Sequence, residues 1–164
     1  MNIEITLKGT SPLLMHNPRM VDPQFELNRE IKAITVKRKK TDEDRAQVER
    51  LEWYGGLYTM DSGGKAVVSQ PASKVRKCLV NTARISKLGK GVERALTLTV
   101  LDVPLDHGGP KDVDKLFADE RYHSRLSVGV NGKRVMRVRP KFLPWALTVP
   151  GLFVEDAGLD FDEL

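Results

Sequence analysis

The sequence is poor in cysteine, in aromatic residues and in long apolar runs. Its one cysteine, Cys78, excludes an internal disulfide and is typical of a protein kept in a reducing compartment. No stretch approaches the roughly 20 consecutive apolar residues that span a bilayer. Met1 leads directly into a strand-like pattern, without the apolar segment of a signal peptide. We therefore expect a cytoplasmic protein with no membrane contact.

Recognisable catalytic and metal-binding motifs are also missing. His16, His107 and His123 are far apart in the sequence, and none belongs to a zinc-type spacing. The chain has neither a G-x-S-x-G nucleophile motif nor a Walker A loop. Cys78 falls on the apolar stripe of a predicted helix, which favours a small core residue over a nucleophile. We predict no catalytic residue, no metal and no cofactor, and hence a protein that is not an enzyme.

Positive charge, by contrast, is abundant. The 27 Lys and Arg residues exceed the 22 Asp and Glu residues, which gives a net charge of +5. Five acids and no base lie in residues 155–164, so residues 1–154 carry 27 bases against 17 acids, or +10. This charge favours a polyanionic partner, because phosphates release counterions when they bind Lys and Arg. The alternative is a plain solubility charge. We expect the acidic tail at 155–164 to shield the basic body.

The clearest helix pattern covers Ser69–Gly91. Pro71 suits its first turn, and Gly89 and Gly91 suit its end. One apolar stripe has helical spacing: Val75, Cys78, Leu79 and Thr82. The other faces carry bases and no acid: Lys74, Arg76, Lys77, Arg84, Lys87 and Lys90. We predict that Lys74, Lys77 and Arg84 contact nucleic acid, although a solvated helix face explains the same pattern.

Residues 18–56 are predicted to form an inserted, finger-like excursion. A basic run lies within it: Lys37, Arg38, Lys39 and Lys40. This run is either a phosphate-binding segment or a solvated stretch. Thr41 is a predicted helix N-cap, because three acids follow it where a helix dipole favours them. We expect that helix to end at Gly55-Gly56, whereas Ile31–Val36 fits a strand or a helix.

The strongest hairpin signal is Asn131-Gly132 between the alternating runs Tyr122–Val130 and Lys133–Arg139. Asn-Gly favours a type I′ turn, and this turn would pair Val128 with Val135. Four arginines crowd the hairpin: Arg125, Arg134, Arg137 and Arg139. Like charges on paired strands repel, and a bound anion would relieve that repulsion. Tyr122 beside them is either a stacking platform for a base or a core ring.

The remaining patterns complete an α+β chain. Strands are predicted at Asn2–Lys8, on both sides of Asp61–Lys65, at Ala95–Val103 in a central position, and at Phe142–Val149. Pro140 should end the pairing of the hairpin, and Val113–Phe117 should form one helical turn. We expect a single α+β domain over residues 1–164, with an antiparallel sheet, a ferredoxin-like or RRM-like core, helices on one face and a β-hairpin extension.

Three stretches of the sequence resemble a known family. Gly9–Asn17, the helix Pro71–Gly91 and Arg137–Trp145 are similar to a group of mostly phage-encoded proteins. That group resembles the RAMP superfamily, the RRM-like backbone subunits of CRISPR effector filaments. The resemblance covers most of the chain. The glycine-rich loop that this family usually carries before its last strand has no counterpart in these 164 residues.

The resemblance carries expectations of its own. It implies an RRM-like palm, a β-hairpin thumb and an inserted basic finger that contains Lys37–Lys40. It also implies that Thr10, Ser11 and His16 lie in a loop beside the ligand. Its ligand would be single-stranded nucleic acid, bound along an oligomer or filament.

Charge, hairpin and resemblance together predict the function. We expect a non-catalytic protein that binds the backbone of single-stranded RNA or DNA, with Lys and Arg on phosphates and aromatic rings on bases. The alternative is a phage structural or interaction protein whose basic surface binds an acidic protein partner.

Overall fold

The computed structural model describes residues 1–130, 132–155 and 159. The chain divides into two compact units. Unit 1 comprises Met1–Lys8, Thr59–Asp106 and the described part of Ala146–Leu164, and unit 2 comprises Gly9–Tyr58 and His107–Trp145. The predicted excursion at 18–56 therefore lies in unit 2. Both units are mixtures of helices and antiparallel strands, so the chain is of the α+β class.

Nine strands and five α-helices are formed by the described residues. In chain order they are β1 (Asn2–Lys8), β2 (Leu13–Leu14), α1 (Glu26–Thr35), α2 (Asp42–Gly56), β3 (Thr59–Asp61), β4 (Ala66–Pro71), α3 (Ala72–Ala83), α4 (Gly89–Ala95), β5 (Leu96–Leu98), β6 (Asp102–Pro104), α5 (Val113–Phe117), β7 (His123–Val130), β8 (Lys133–Phe142) and β9 (Ala146–Phe153). Short 3-10 turns lie at Pro18–Val21 and Glu120–Tyr122. No helix in these ranges is both long and apolar enough to cross a bilayer.

Unit 1 contains two three-stranded sheets, ordered β1-β9-β5 and β3-β4-β6. The alternating pattern of the first strand is confirmed, because Ile3 is buried while Glu4 is exposed. A core cluster includes side chains from β1, α3, α4, β5 and β9: Ile3, Val80, Val92, Ala95, Leu96, Phe153 and Leu159. The β1-β9-β5 sheet and the helices α3 and α4 thus share apolar contacts that hold them together.

The single central strand predicted at Ala95–Val103 is wrong. The segment instead forms the short strands β5 and β6, and each lies at the edge of its sheet. Between them Leu101 is exposed, and the Thr99 N–H donates to the Pro150 carbonyl at 3.1 Å. The apolar residues of this segment therefore belong to two edge strands and the bend between them. The pattern misled because a run of apolar residues does not by itself show which side chains are buried.

The long basic helix predicted at Ser69–Gly91 is two helices. Residues 69–71 belong to β4, α3 ends at Ala83, and α4 begins at Gly89. Lys87 between the helices has a φ of 64°, and the Leu88 N–H donates back to the Ala83 carbonyl at 2.9 Å. A residue in the left-handed region with such a backward bond ends a helix. Helix α3 therefore ends before Gly89 and Gly91, where the sequence pattern placed its end.

The buried face of α3 also differs from the predicted stripe. Ala72, Val75 and Val80 are buried, whereas Cys78 and Thr82 are exposed. The predicted stripe is confirmed at Val75 and at Leu79, which packs against the core cluster of unit 1, and it is wrong at Cys78 and Thr82. Cys78 is therefore a surface thiol, and its predicted core position is wrong.

Helix α2 confirms the predicted start and end of the helix in unit 2. The Thr41 side chain accepts from the Asp44 N–H at 3.2 Å, and the Asp44 carboxylate accepts from the Thr41 N–H at 3.1 Å. This capping box satisfies backbone donors at the helix start. The helix ends at Gly56. The ambiguous segment before it forms helix, because α1 extends to Thr35.

The hairpin of β7 and β8 has the predicted register. Val128 pairs with Val135, and Ser124 pairs with Arg139. Gly132 has a φ of 77°, and Asn131, the other predicted turn residue, lies outside the described residues. Pro140 does not end the strand: it pairs with His123, and β8 continues to Phe142, where β2 pairs on its other edge.

The interior of unit 2 is built around Trp53 and Phe142, which are both fully buried. The Trp53 Nε1–H donates to the Tyr122 carbonyl at 2.9 Å, so the indole loses no hydrogen bond on burial. Other buried apolar residues of this unit are Met15, Ile31, Leu51, Leu57, Tyr58, Leu116, Tyr122 and Val138. Of the predicted tail at 155–164, all but Glu155 and Leu159 lies outside the described residues.

Candidate nucleic-acid interface

A cleft of about 570 Å³ opens on unit 2. Its lining comes from the loop after β2, the first 3-10 turn, α1, α2 and the β7–β8 hairpin: His16, Met20, Val21, Asn28, Ile31, Lys32, Thr35, Glu52, Val128, Gly129, Arg137, Val138 and Arg139. We call this feature the α1 cleft. Three predicted site residues, His16, Arg137 and Arg139, line it together. The α1 cleft has the size of a pocket for a small organic ligand.

Glu52 lines the α1 cleft and binds two neighbouring residues of β8. Its carboxylate pairs with Arg137 and accepts from the Val138 N–H at 3.1 Å. The side chain of Glu52 is only 7% exposed, whereas Arg137 is 37% exposed. A buried carboxylate needs such partners, because desolvation without them is costly. Arg137 is thereby held in position while its side chain stays partly exposed to solvent.

Two further cations of the α1 cleft carry uncompensated charge. Lys32 lies on α1 and Arg139 on β8, and no acid in the described part of the chain pairs with either. The lining therefore holds three cations against one carboxylate. A concave site with an excess of one charge sign concentrates the opposite sign, here an anion.

The other hairpin arginines differ in their partners. Arg125 pairs with Glu49 at 3.0 Å and also with Glu120, and these hydrogen bonds raise its pKa, with Glu120 the larger cause. Arg134 donates to the Ser127 carbonyl at 3.4 Å within the hairpin. The repulsion expected among four arginines is thus relieved at Arg125 and Arg137 by acids of the same chain. The repulsion at these two positions therefore does not require a bound anion, and their contact with nucleic acid stays a prediction.

The basic run at Lys37–Lys40 follows α1. Lys37 pairs with Asp44 at 2.6 Å, and the Lys40 ammonium donates to the Lys37 carbonyl at 3.1 Å. The side chains of Arg38 and Lys39 are exposed, and neither is ion-paired to a described residue. Half of the run therefore helps to fix the start of α2, and the other half remains available to a ligand.

Tyr122 does not serve as a stacking platform. Its ring is buried and packs against His107 and Phe142, with ring centroids 6.0 and 5.6 Å away. A base cannot reach a ring face that the core already covers. Of the two interpretations open for this residue, the core position is the one observed.

The remaining predicted residues lie elsewhere. Thr10 and Ser11 are exposed in unit 2, and the Ser11 carbonyl accepts from the Trp145 Nε1–H at 2.9 Å. Lys74 and Lys77 are exposed on α3 of unit 1, and Arg84 caps the end of that helix. Arg84 donates to the Asn81 side chain at 3.1 Å. The α1 cleft contains none of these five residues.

Sequence reasoning missed Lys32, Asn28 and Glu52. Lys32 and Asn28 lie on α1, whose helical character the sequence left open, so their common face was not visible. Glu52 did carry a signal, because it stands between Leu51 and Trp53 near the end of an apolar helix stretch. An acid among core residues predicts a buried partner, since carboxylates are rarely buried unpaired.

Tyr54 and Asp114 form a second polar contact on unit 2, outside the α1 cleft. Burial, and then a hydrogen bond to the Asp114 carboxylate, raise the pKa of Tyr54 to about 12. The phenol is therefore a fixed hydrogen-bond donor at neutral pH. Within the described ranges no group of three or more His, Cys, Asp or Glu residues is arranged to hold a metal ion.

A scan against protein-family models, a search of curated proteins and a search of solved structures each found no match to this chain. The function is therefore argued from the site itself.

Proposed function

We propose that this protein binds single-stranded RNA or DNA through the sugar–phosphate backbone, without catalysing a reaction. The observation that carries the proposal is a set of cations on unit 2 that have no acid partner among the described residues, including Lys32, Arg38, Lys39, Arg134 and Arg139. Lys and Arg in this state retain their full charge for phosphate, because no described carboxylate competes for them.

The distribution of these cations supports a strand over a small anion. Arg139 and Lys32 line the α1 cleft, Arg38 and Lys39 follow α1, and Arg134 lies toward the turn of the hairpin. Cations spread over several elements suit a chain of phosphates, whereas one inorganic anion needs only a single cluster. The aromatic residues among the described part of unit 2 are all buried or half-buried, so the proposal rests on phosphate contacts, which do not read sequence.

The relationship to the RAMP superfamily belongs to the same proposal. It includes an RRM-like or ferredoxin-like core in unit 1, the β7–β8 hairpin as a thumb, and assembly of copies along the strand as an oligomer or filament. The support is the three quoted sequence stretches, together with the antiparallel strands and the α3–α4 helices that share one core in unit 1.

A salt titration tests the proposal. Fluorescence anisotropy is measured with a labelled RNA and a labelled DNA of the same sequence, single-stranded, at several salt concentrations. Contacts to about four phosphates predict a slope of log affinity against log salt near −3, from roughly 0.7 per phosphate. Absence of binding to both strands at low salt would overturn the proposal.

One observation favours a protein partner as the second candidate. The hairpin exposes Leu126 and Val135 on the face that carries Lys133, and Met136 on the opposite face beside Arg134. A surface that combines apolar and basic side chains suits an acidic protein with apolar contacts of its own. Apolar burial would make that association far less sensitive to salt than phosphate binding, so the same titration separates the two candidates.

A further inference from the structure

We infer that the α1 cleft binds one nucleotide unit of the strand, with its phosphate at Lys32 and Arg139 and its base or sugar against the apolar wall. This inference rests on the proposed function and adds the position and the ligand group. It is carried by the cleft's volume, by its charge and by the division of its lining into a cationic part and an apolar part.

The volume sets the size of the ligand. A cleft of about 570 Å³ far exceeds the space that a lone phosphate fills, and it lies within the usual range of about 300–1,000 Å³ for organic ligands. A nucleoside with one phosphate fits this range. Apolar residues form one part of the lining, and among them Ile31 and Val138 are buried while Met20 and Val128 are half-buried. Inorganic phosphate has no apolar surface and would make no favourable contact with these residues, whereas a base or a sugar would.

The polar lining supplies what a nucleotide requires. Arg137 uses one guanidinium nitrogen for Glu52 and retains further N–H donors, because a guanidinium carries five. The Asn28 side-chain amide donates to the Asp22 carbonyl at 2.8 Å, which leaves its oxygen as an acceptor directed by that bond. Lys32 and Arg139 add charge, and Arg137 adds oriented donors whose position is fixed by a buried carboxylate.

The decisive variant fills the α1 cleft without changing its charge. Val128→Trp places a large side chain in the lining, and Met136→Trp places the same side chain on the opposite face of the hairpin, outside the lining. Both proteins are first compared with wild type by circular dichroism melting. We expect Val128→Trp to weaken binding of a labelled single-stranded oligonucleotide by at least tenfold relative to Met136→Trp.

A charge variant gives a second readout. Replacing Lys32 and Arg139 together by Gln should make the salt slope shallower by about 0.7, the contribution of the one phosphate that these two side chains neutralise. Arg45→Gln is the matched control, because Arg45 is exposed, pairs with Asp42 and lies outside the lining. Nucleoside monophosphate and inorganic phosphate are then compared as competitors, and the nucleotide should compete at lower concentration.

The outcomes separate the two proposals. Equal affinity of Val128→Trp and Met136→Trp for the oligonucleotide would overturn the nucleotide site while leaving strand binding intact. Equal competition by phosphate and nucleotide would overturn it as well. Failure of the wild-type protein to bind any strand at low salt would instead remove the proposed function itself.

Discussion

Arg137 of β8 donates a hydrogen bond to the buried carboxylate of Glu52 on α2, and the same carboxylate accepts from the Val138 N–H. This pair joins the helix to the hairpin through charge-assisted bonds. Glu52→Ala should lower the free energy of unfolding by roughly 1–3 kcal/mol, because it leaves a buried N–H without an acceptor and a half-buried guanidinium without its partner. Urea unfolding followed by circular dichroism measures the change.

Glu49→Ala provides the matched control for that prediction. Glu49 lies on the same helix and also pairs with a hairpin arginine, Arg125, but both side chains are substantially exposed. Exposed pairs contribute at most about 1 kcal/mol. A destabilisation by Glu49→Ala as large as that by Glu52→Ala would show that burial does not set the strength of these links.

The capping box of α2 makes stability depend on pH. A hydrogen bond from Lys37, and then one from the Thr41 N–H, lower the pKa of Asp44. A carboxyl whose pKa is lower in the folded state contributes its full stability above its unfolded pKa, about 3.9, and this contribution disappears as the pH falls through the folded value. Asp44→Asn should therefore lower the melting temperature at pH 7, and its difference from wild type should narrow below about pH 4.

The Thr41 hydroxyl makes the uncharged hydrogen bond of the same capping box, to the Asp44 N–H. Thr41→Ala should cost about 1 kcal/mol at pH 7, whereas Thr41→Ser keeps the hydroxyl and should cost little. Thermal melting from pH 7 to pH 3 follows all three variants. A constant gap between Asp44→Asn and wild type over that range would contradict the assigned role of the charge.

The sequence predicted those parts of the fold that depend only on residues close together in the chain. The Thr41 cap and the register of β7 with β8 followed from short motifs, because capping and turn geometry depend on neighbouring residues. The burial of Val80 and the exposure of Cys78 did not follow, since both depend on where α3 begins on β4. Helical spacing fixes which residues share a stripe only once that start is known.

The candidate site was predicted in part for a related reason. Arg137 and Arg139 stood out as charges on a clear hairpin. Lys32 did not, because a single lysine in an ambiguous segment has no visible partners, and Glu52 compensates Arg137 from 85 residues away in the sequence. Such long-range pairing is created by the fold, so sequence alone overestimated the free charge of the hairpin and missed the α1 cleft.

Helix α3 offers a direct test of its buried face. Val80→Ala should lower the free energy of unfolding by roughly 1–3 kcal/mol, because Val80 packs in the core cluster of unit 1. Cys78→Ser should change it by less than about 0.5 kcal/mol, since Cys78 is exposed. Native protein should also react rapidly with a thiol reagent. A thiol that reacts only after unfolding would contradict this face assignment.

Tyr122 should act through stability and not through a ligand. Tyr122→Ala removes a buried ring that packs against His107 and Phe142 and should cost roughly 3–5 kcal/mol. Tyr122→Phe keeps the ring and should retain both most of the stability and the affinity for a single strand. A marked drop in affinity in Tyr122→Phe, with an unchanged melting temperature, would restore a role in ligand binding.

The basic run should divide into two functional halves. Lys37 and Lys40 already make hydrogen bonds that fix the start of α2, whereas the side chains of Arg38 and Lys39 are exposed and have no acid partner among the described residues. Replacing Arg38 and Lys39 by Ala should make the salt slope of strand binding shallower by about 1.4, from roughly 0.7 per phosphate, and leave the melting temperature unchanged.

The other half of the run supplies the control for this prediction. Replacing Lys37 and Lys40 by Ala should lower the melting temperature and alter the slope less, because Lys37 is neutralised by Asp44 in the free protein. Anisotropy titrations with RNA and DNA strands, paired with melting curves of each variant, measure both effects. The weakening should be the same for every sequence, since phosphate contacts position a strand without reading its bases. Identical slopes for the two double variants would mean that the intramolecular pairing of Lys37 does not limit its contact with phosphate.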